Sequence, residues 1–200
     1  MWAKVESNSV TKIYTRPKAL TIGDVNYPRN IFELWSASEL EAIGIYEITV
    51  DSTNLKDERY YKNTDITYAY ASGAVTGTYG SATARSLTNV LYTAQNESDG
   101  IGIEGEVKTV GLKITHKNSI NSQANSLLSE YDWYTLRAAS GGTAIPSSVA
   151  TYQAAVRTKA NSMCTQIDGA ANVDALAALY VYNSDNPPVR PLGEWPSKPE

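Results

Sequence analysis

Two hundred residues suffice for one domain or two small ones, and a net charge of −4 with a pI near 5.1 excludes the basic face that nucleic acid requires. A single cysteine, Cys164, excludes a disulfide framework and a cysteine-rich zinc site. The opening MWAKVESNSV has no apolar signal region and no run of about 18 apolar residues occurs, which points away from membrane insertion and signal-directed secretion.

The first seventeen residues, MWAKVESNSVTKIYTRP, alternate apolar and polar positions around a Ser/Asn cluster, the pattern of a small hairpin. IGDVNYP follows as turn punctuation at Gly23-Asp24 and Pro28. LWSASELEAIG then carries a complete helix signal. Ser36 and Glu39 have capping-box spacing, Trp35 and Leu40 that of a hydrophobic staple, and Gly44 stops the run. A two-turn helix is expected over Ala37 to Ile43. IYEITVD and the stretch 59–80 are β-rich, with a hairpin tip at ASG, 71–73. The aromatic inventory, 14 Tyr and 4 Trp against one Phe, suits small sheets whose aromatics are apolar on one edge and wet on the other.

Residues 81–108 read as a Ser/Thr/Asn/Gly-rich connector in which Ile101 and Ile103 lie in a strand or a loop. From about Thr109 the period turns helical: Ile120, Ala124, Leu127 and Tyr131 recur at 4, 3 and 4. After the breaker SGGTAIP, Val149, Tyr152, Val156, Ala160, Met163 and Ile167 mark a second helical face that ends at Gly169. Pro146 as first helical residue and Ser147 as cap are competing starts for it. NVDALAALY predicts a shorter third helix capped by Asn172, and NSDNPPVRPLGEWPSKPE, too Pro-rich for a helix, is expected to be extended. The fold class is therefore α+β: a small Tyr-rich N-terminal β module with one short helix (1–80), the connector (81–108), a helical hairpin (109–182) and a Pro/Trp tail (183–200).

Catalytic constellations are missing from the pattern. The lone His116, in KITHKNS, reads as solvent-facing rather than as a ligand or base. GIGIEG lacks the strand–helix setting and following Lys of a phosphate loop. Asp57-Glu58 and Glu104/Glu106 are ordinary surface carboxylates unless a pocket separates their pKa values. Cys164, beside Met163, reads as a buried structural thiol. No cofactor, metal site or enzymatic activity is expected.

LLSEYDW at the end of one helix, GTAIPSSVATYQAAVRTKA opening the next and the terminal EWPSKP together resemble the C-terminal region of tail-fibre assembly and tail assembly chaperone-like proteins of tailed bacteriophages. The likeness spans roughly residues 110–200, with Asp132, Trp133, Pro146, Tyr152, Arg157, Trp195, Pro196 and Pro199 at matching places. Val149 stands where that family often has Trp, and Gln153 where Arg often follows the Tyr. MWAKVESNSVTKIY and IGDVNYP also resemble the openings of marine-phage virion structural proteins. The resemblance implies a non-enzymatic role in the virion tail, or in the host cytoplasm during assembly. It further implies an oligomeric assembly, with phage tail or fibre proteins as partners and neither nucleic acid nor membrane insertion involved. Trp195, Pro196, Pro199, Trp133 and Trp2 are the candidate partner-binding residues. The alternative is a carbohydrate- or receptor-binding virion module that displays Tyr60, Tyr68 and Tyr79 to a host glycan.

Overall fold

The computed structural model describes residues 1–199. The chain is mixed α+β and divides into two compact units, Met1–Thr83 and Ala84 onward. The stretch from Ala84 to Lys108 therefore belongs to the second unit and is folded, where composition alone suggests a bare connector.

In the first unit, β1 (Trp2–Glu6) and β2 (Ser9–Tyr14) form an antiparallel hairpin whose turn residues Ser7 and Asn8 sit at φ 49° and 61°. Positive φ at both central positions matches the right-handed twist of the flanking strands. The expected turn at Gly23-Asp24 forms, and it is the tip of a second small hairpin, β3 (Leu20–Ile22) with β4 (Val25–Tyr27). Its three-residue strands are too short to show an alternating pattern. One turn of helix, α1 (Ile31–Leu34), follows and was equally unreadable; its burial of Ile31 and Phe32 is a tertiary effect. The module thus has two short helices rather than one.

The second, α2 (Ala37–Ala42), has the full capping box, with the Glu39 amide donating to Ser36 Oγ and the Ser36 amide to Glu39 Oε2. Gly44 follows at φ 77°.

Strands β5 (Ile45–Asp51), β6 (Tyr61–Lys62), β7 (Ile66–Ala71) and β8 (Ala74–Tyr79) continue the unit. The main sheet runs β2-β1-β5-β8-β7, antiparallel except for the β5/β8 pair. It curls so that its edge strands β2 and β7 approach each other. The period of two splits the residues between two cores. Ala3, Ile48 and Val75, edged by Tyr46, Tyr68 and Tyr70, fill one. Tyr14, Ile45, Leu20, Phe32 and Leu40 fill the other under β3, β4 and the helices. Tyr46 and Tyr70 meet edge to face with their hydroxyls 3.2 Å apart; this hydrogen bond and partial burial raise the Tyr46 pKa.

Short strand β9 (Thr83–Ala84) leads into the second unit, where β10 (Val90–Leu91), α3 (Ala94–Ser98) and β11 (Val107–Thr109) form a small layer. Ile101 and Ile103 are in its loop. Helix α4 (Leu112–Ser129) begins against this layer. The Leu112 and Lys113 amides donate to the carbonyls of Ser86 and Leu87, satisfying donors that a helix start leaves unpaired.

LLSEYDW spans the end of α4, whose last residue is Ser129, but the Asp-Trp pair does not close it. Asp132 and Trp133 instead open a separate helix, α5 (Asp132–Ala139), so the hairpin is a longer three-helix path. The long α6 (Ser147–Gly169) packs on α4 and buries all six residues that its period singles out. Pro146 is its N-cap, with ψ 140° and no side-chain cap bond, so neither competing start holds. Asn172 caps α7 (Val173–Ala178) by accepting from the Ala175 amide.

His116 is half-buried, its Nδ1 2.8 Å from the Tyr180 hydroxyl, and does not simply face solvent. Cys164 is half-buried with its Sγ against Asn121 Oδ1, and desolvation raises the thiol pKa.

Candidate functional site

The Pro-rich tail is extended and strapped to its own helices. Leu192 is the anchor: its side chain is fully buried and its amide donates to the Leu179 carbonyl. Upstream, Asn183 closes a loop with its own main chain, accepting from the Asp185 and Val189 amides. Arg190 pairs with Glu194, which also accepts from the Tyr182 hydroxyl; that hydrogen bond raises the Tyr182 pKa.

Downstream, the half-buried Trp195 donates its indole N–H to Gln123 Oε1 on α4 at 3.0 Å. Lys198 reaches Glu130, just past the end of α4, at 2.6 Å, and this carboxylate raises the Lys198 pKa. Pro196 and Pro199 line a shallow groove with Ser148, Thr151, Tyr152 and Ala155 of α6. The tail thereby ties the end of α4 to the start of α6.

Beneath that strap lies an aromatic cluster. Tyr152 is buried and meets Tyr131 edge to face at 5.2 Å. Tyr131 stacks on Tyr134, and Tyr134 contacts Trp133 at 3.8 Å. The Arg137 guanidinium lies 4.8 Å from the Trp133 ring and 5.1 Å from that of Tyr134. Spacing explains the Tyr131–Tyr134, Trp133–Arg137 and Tyr134–Arg137 contacts, because positions three and four apart share a helix face.

Helix α5 buries none of its residues; Trp133 is 49 % exposed and Leu136 68 %. Exposed Trp, half-buried Tyr and a stacked Arg are the composition that dominates binding energy at protein interfaces. Among the described residues the Tyr152 hydroxyl has no hydrogen-bond partner, and burial raises its pKa.

Of the five candidate residues, Trp133, Trp195, Pro196 and Pro199 belong to this strap-and-cluster region. Trp2 does not: it is half-buried in the first unit with its ring 4.8 Å from Phe32, edging that core. Tyr131, Tyr134, Leu136 and Arg137 complete the surface and were not singled out from the sequence. Their signal, an Arg at i+4 from a Trp, becomes legible once α5 is recognised as a helix of its own. In the first unit Tyr60 is buried, and Tyr68 and Tyr79 are half-buried.

Among the described residues no group of three or more His, Cys, Asp or Glu side chains is arranged to hold a metal ion, and no helix is long and apolar enough to cross a membrane. Comparison with protein-family models, with curated proteins and with solved structures finds no match for the chain.

Proposed function

We propose that the chain is a non-enzymatic, bacteriophage tail- or tail-fibre-associated structural or assembly protein that docks on a fibre or other tail protein. The observation that carries this reading is the exposed Trp133/Leu136/Arg137 surface of α5, set beside a tail held in place by Leu192, Trp195 and Lys198. A surface already stacked and strapped loses little side-chain freedom on binding. The resemblance of residues 110–200 to tail assembly proteins supplies the class of partner. The strap changes the role of the terminal Trp-Pro segment: it braces the docking surface rather than acting as a free arm.

Quantitative mass spectrometry of purified particles tests the reading. A fixed ratio to the major tail protein, at a multiple of three or six, identifies a virion component. Presence in lysate on fibre protein but absence from particles identifies an assembly factor. Absence from both refutes the proposal. With a partner in hand, Trp133→Ala is expected to weaken binding at least about tenfold, the scale of an interface hot spot.

A further inference from the structure

The layer at the start of the second unit has an unusual surface. From Ser81 to Val110 no residue is buried, although the stretch contains three short strands and a helix. Ile101 and Ile103 are each 58 % exposed, and Leu91 and Val107 are 47 % and 46 % exposed.

The loop that presents the isoleucines is rigidly built. Thr93 and Asn96 form a reciprocal capping box, and the Ile101 amide donates to the Asn96 carbonyl. The Gly105 amide donates to the Tyr92 carbonyl and the Tyr92 amide to that of Glu106. Gly102, between the isoleucines, lies flat on the Tyr92 ring; a Cβ there would come within 2.7 Å of it. Two aliphatic side chains are thus held outward by backbone hydrogen bonds, at little ordering cost on binding. Solvent-facing aliphatics on so firmly braced a loop mark an interaction surface.

Charge identifies the occupant. Residues 94–108 carry Glu97, Asp99, Glu104 and Glu106 against Lys108 alone, which reaches back to Asn96 and the Tyr92 ring, a net of −3. An anionic membrane or a nucleic acid would be repelled; a cationic protein surface would be attracted. This chain has one. Residues 9–30 carry Lys12, Arg16, Lys18 and Arg29 against Asp24 alone, a net of +3. Lys12, Arg16 and Lys18 are exposed and have no carboxylate partner among the described residues; Lys12 and Lys18 lie over the Tyr14 ring. In the same stretch Val25 is 52 % exposed.

We infer that the Ile101-Gly102-Ile103 tip of one copy docks on the basic β2–β3 edge of a second copy, a head-to-tail contact. Repeated in one direction the contact builds a ring or an open filament, and reciprocated between two copies it closes a two-fold dimer. The tip is small beside a standard interface of about 1,600 Å², so the contact is weak, on the order of micromolar or weaker, and salt-sensitive. The inference stands on exposure and charge and does not rest on the phage reading.

Sedimentation of the purified full-length chain at about 100 µM, in about 50 mM and about 500 mM salt, tests it. Expected are species larger than the monomer at low salt and at least about tenfold weaker association at high salt. Ile101→Ser with Ile103→Ser should abolish association; both side chains face solvent, so the variant folds. Glu104→Lys/Glu106→Lys and Lys12→Glu/Lys18→Glu chains should each be monomeric alone and associate when mixed, because mixing restores opposite charges across the contact. A monomeric wild type at low salt, a serine variant that associates like wild type, or charge variants that fail to complement would each overturn the inference.

Discussion

Replacing Leu192 by Ala tests whether the tail is part of the second unit's core or merely lies on it. The Leu192 side chain is fully buried and its amide donates to the Leu179 carbonyl at 3.0 Å. Cutting a buried isobutyl group back to a methyl loses the transfer free energy of three carbons and leaves a cavity, together about 2–5 kcal/mol. Trp195→Ala sets the scale for comparison. It removes a half-buried indole and one hydrogen bond to Gln123, about 1 kcal/mol for the bond and about 2–3 kcal/mol for the surface. The two global costs are of similar size, so the anchor is identified by the absolute loss at Leu192 and by its local exchange. In urea, with a slope of about 1.5 kcal/mol/M for a unit of this size, a loss of about 3 kcal/mol lowers the midpoint by about 2 M. Hydrogen exchange at the Leu192 amide reports the same change locally, with protection falling toward that of a free chain. A cost of Leu192→Ala below about 1 kcal/mol, or unchanged exchange protection at the Leu192 amide, would refute the anchored-strap account.

Gly111 lies where the second unit's strand layer meets α4, and a Cβ there would come within 2.6 Å of the Leu87 carbonyl oxygen. Since backbone cannot rotate away as a side chain can, Gly111→Ala should destabilise by about 1–3 kcal/mol in thermal or urea unfolding. Tyr152→Phe should be neutral or slightly stabilising, because the hydroxyl it deletes is buried with no partner among the described residues; a loss above about 1 kcal/mol would mean the hydroxyl has one. Acid should weaken the first unit. Ser36 bonds hold Glu39 low, Lys4 holds Glu6 low, Thr53 holds Asp51 low and Arg59 holds Asp57 low. Depressed carboxylates stabilise fully above their unfolded values, 4.5 for Glu and 3.8 for Asp, and that contribution disappears as pH falls through the lower folded values. Urea midpoints of the first unit measured from pH 6 downward should hold steady and then fall below about pH 4.5, with a shallow slope because all four groups are solvent-exposed.

Short-range physics was legible throughout. A capping box needs only two residues three apart, so α2 could be placed from Ser36 and Glu39 to within a residue. A long amphipathic period needs only one apolar partner, and all six periodic positions of α6 are buried. The turns at Ser7-Asn8 and Ser72-Gly73 follow from the few residues that tolerate positive φ. The α+β class followed from these signals alone.

What the tertiary structure decided involves partners distant in sequence. His116 looked solvent-facing because nothing nearby marks Tyr180 as its partner, 64 positions on. The stretch from Ala84 looked like a connector because its order comes partly from main-chain carbonyls that cap α4, a role any side chain can accompany. Helix α1 is a single turn, and α5 begins without a side-chain cap; neither leaves a local mark, because burial of Ile31 and Phe32 supports the one and stacked aromatics the other. The tail is the clearest case. Its prolines dictate an extended chain wherever it goes, but only the pocket that receives Leu192 and the reach of Gln123 and Glu130 determine where it lies. Backbone preference is a property of neighbouring residues, whereas docking depends on surfaces that exist only once the helices have packed.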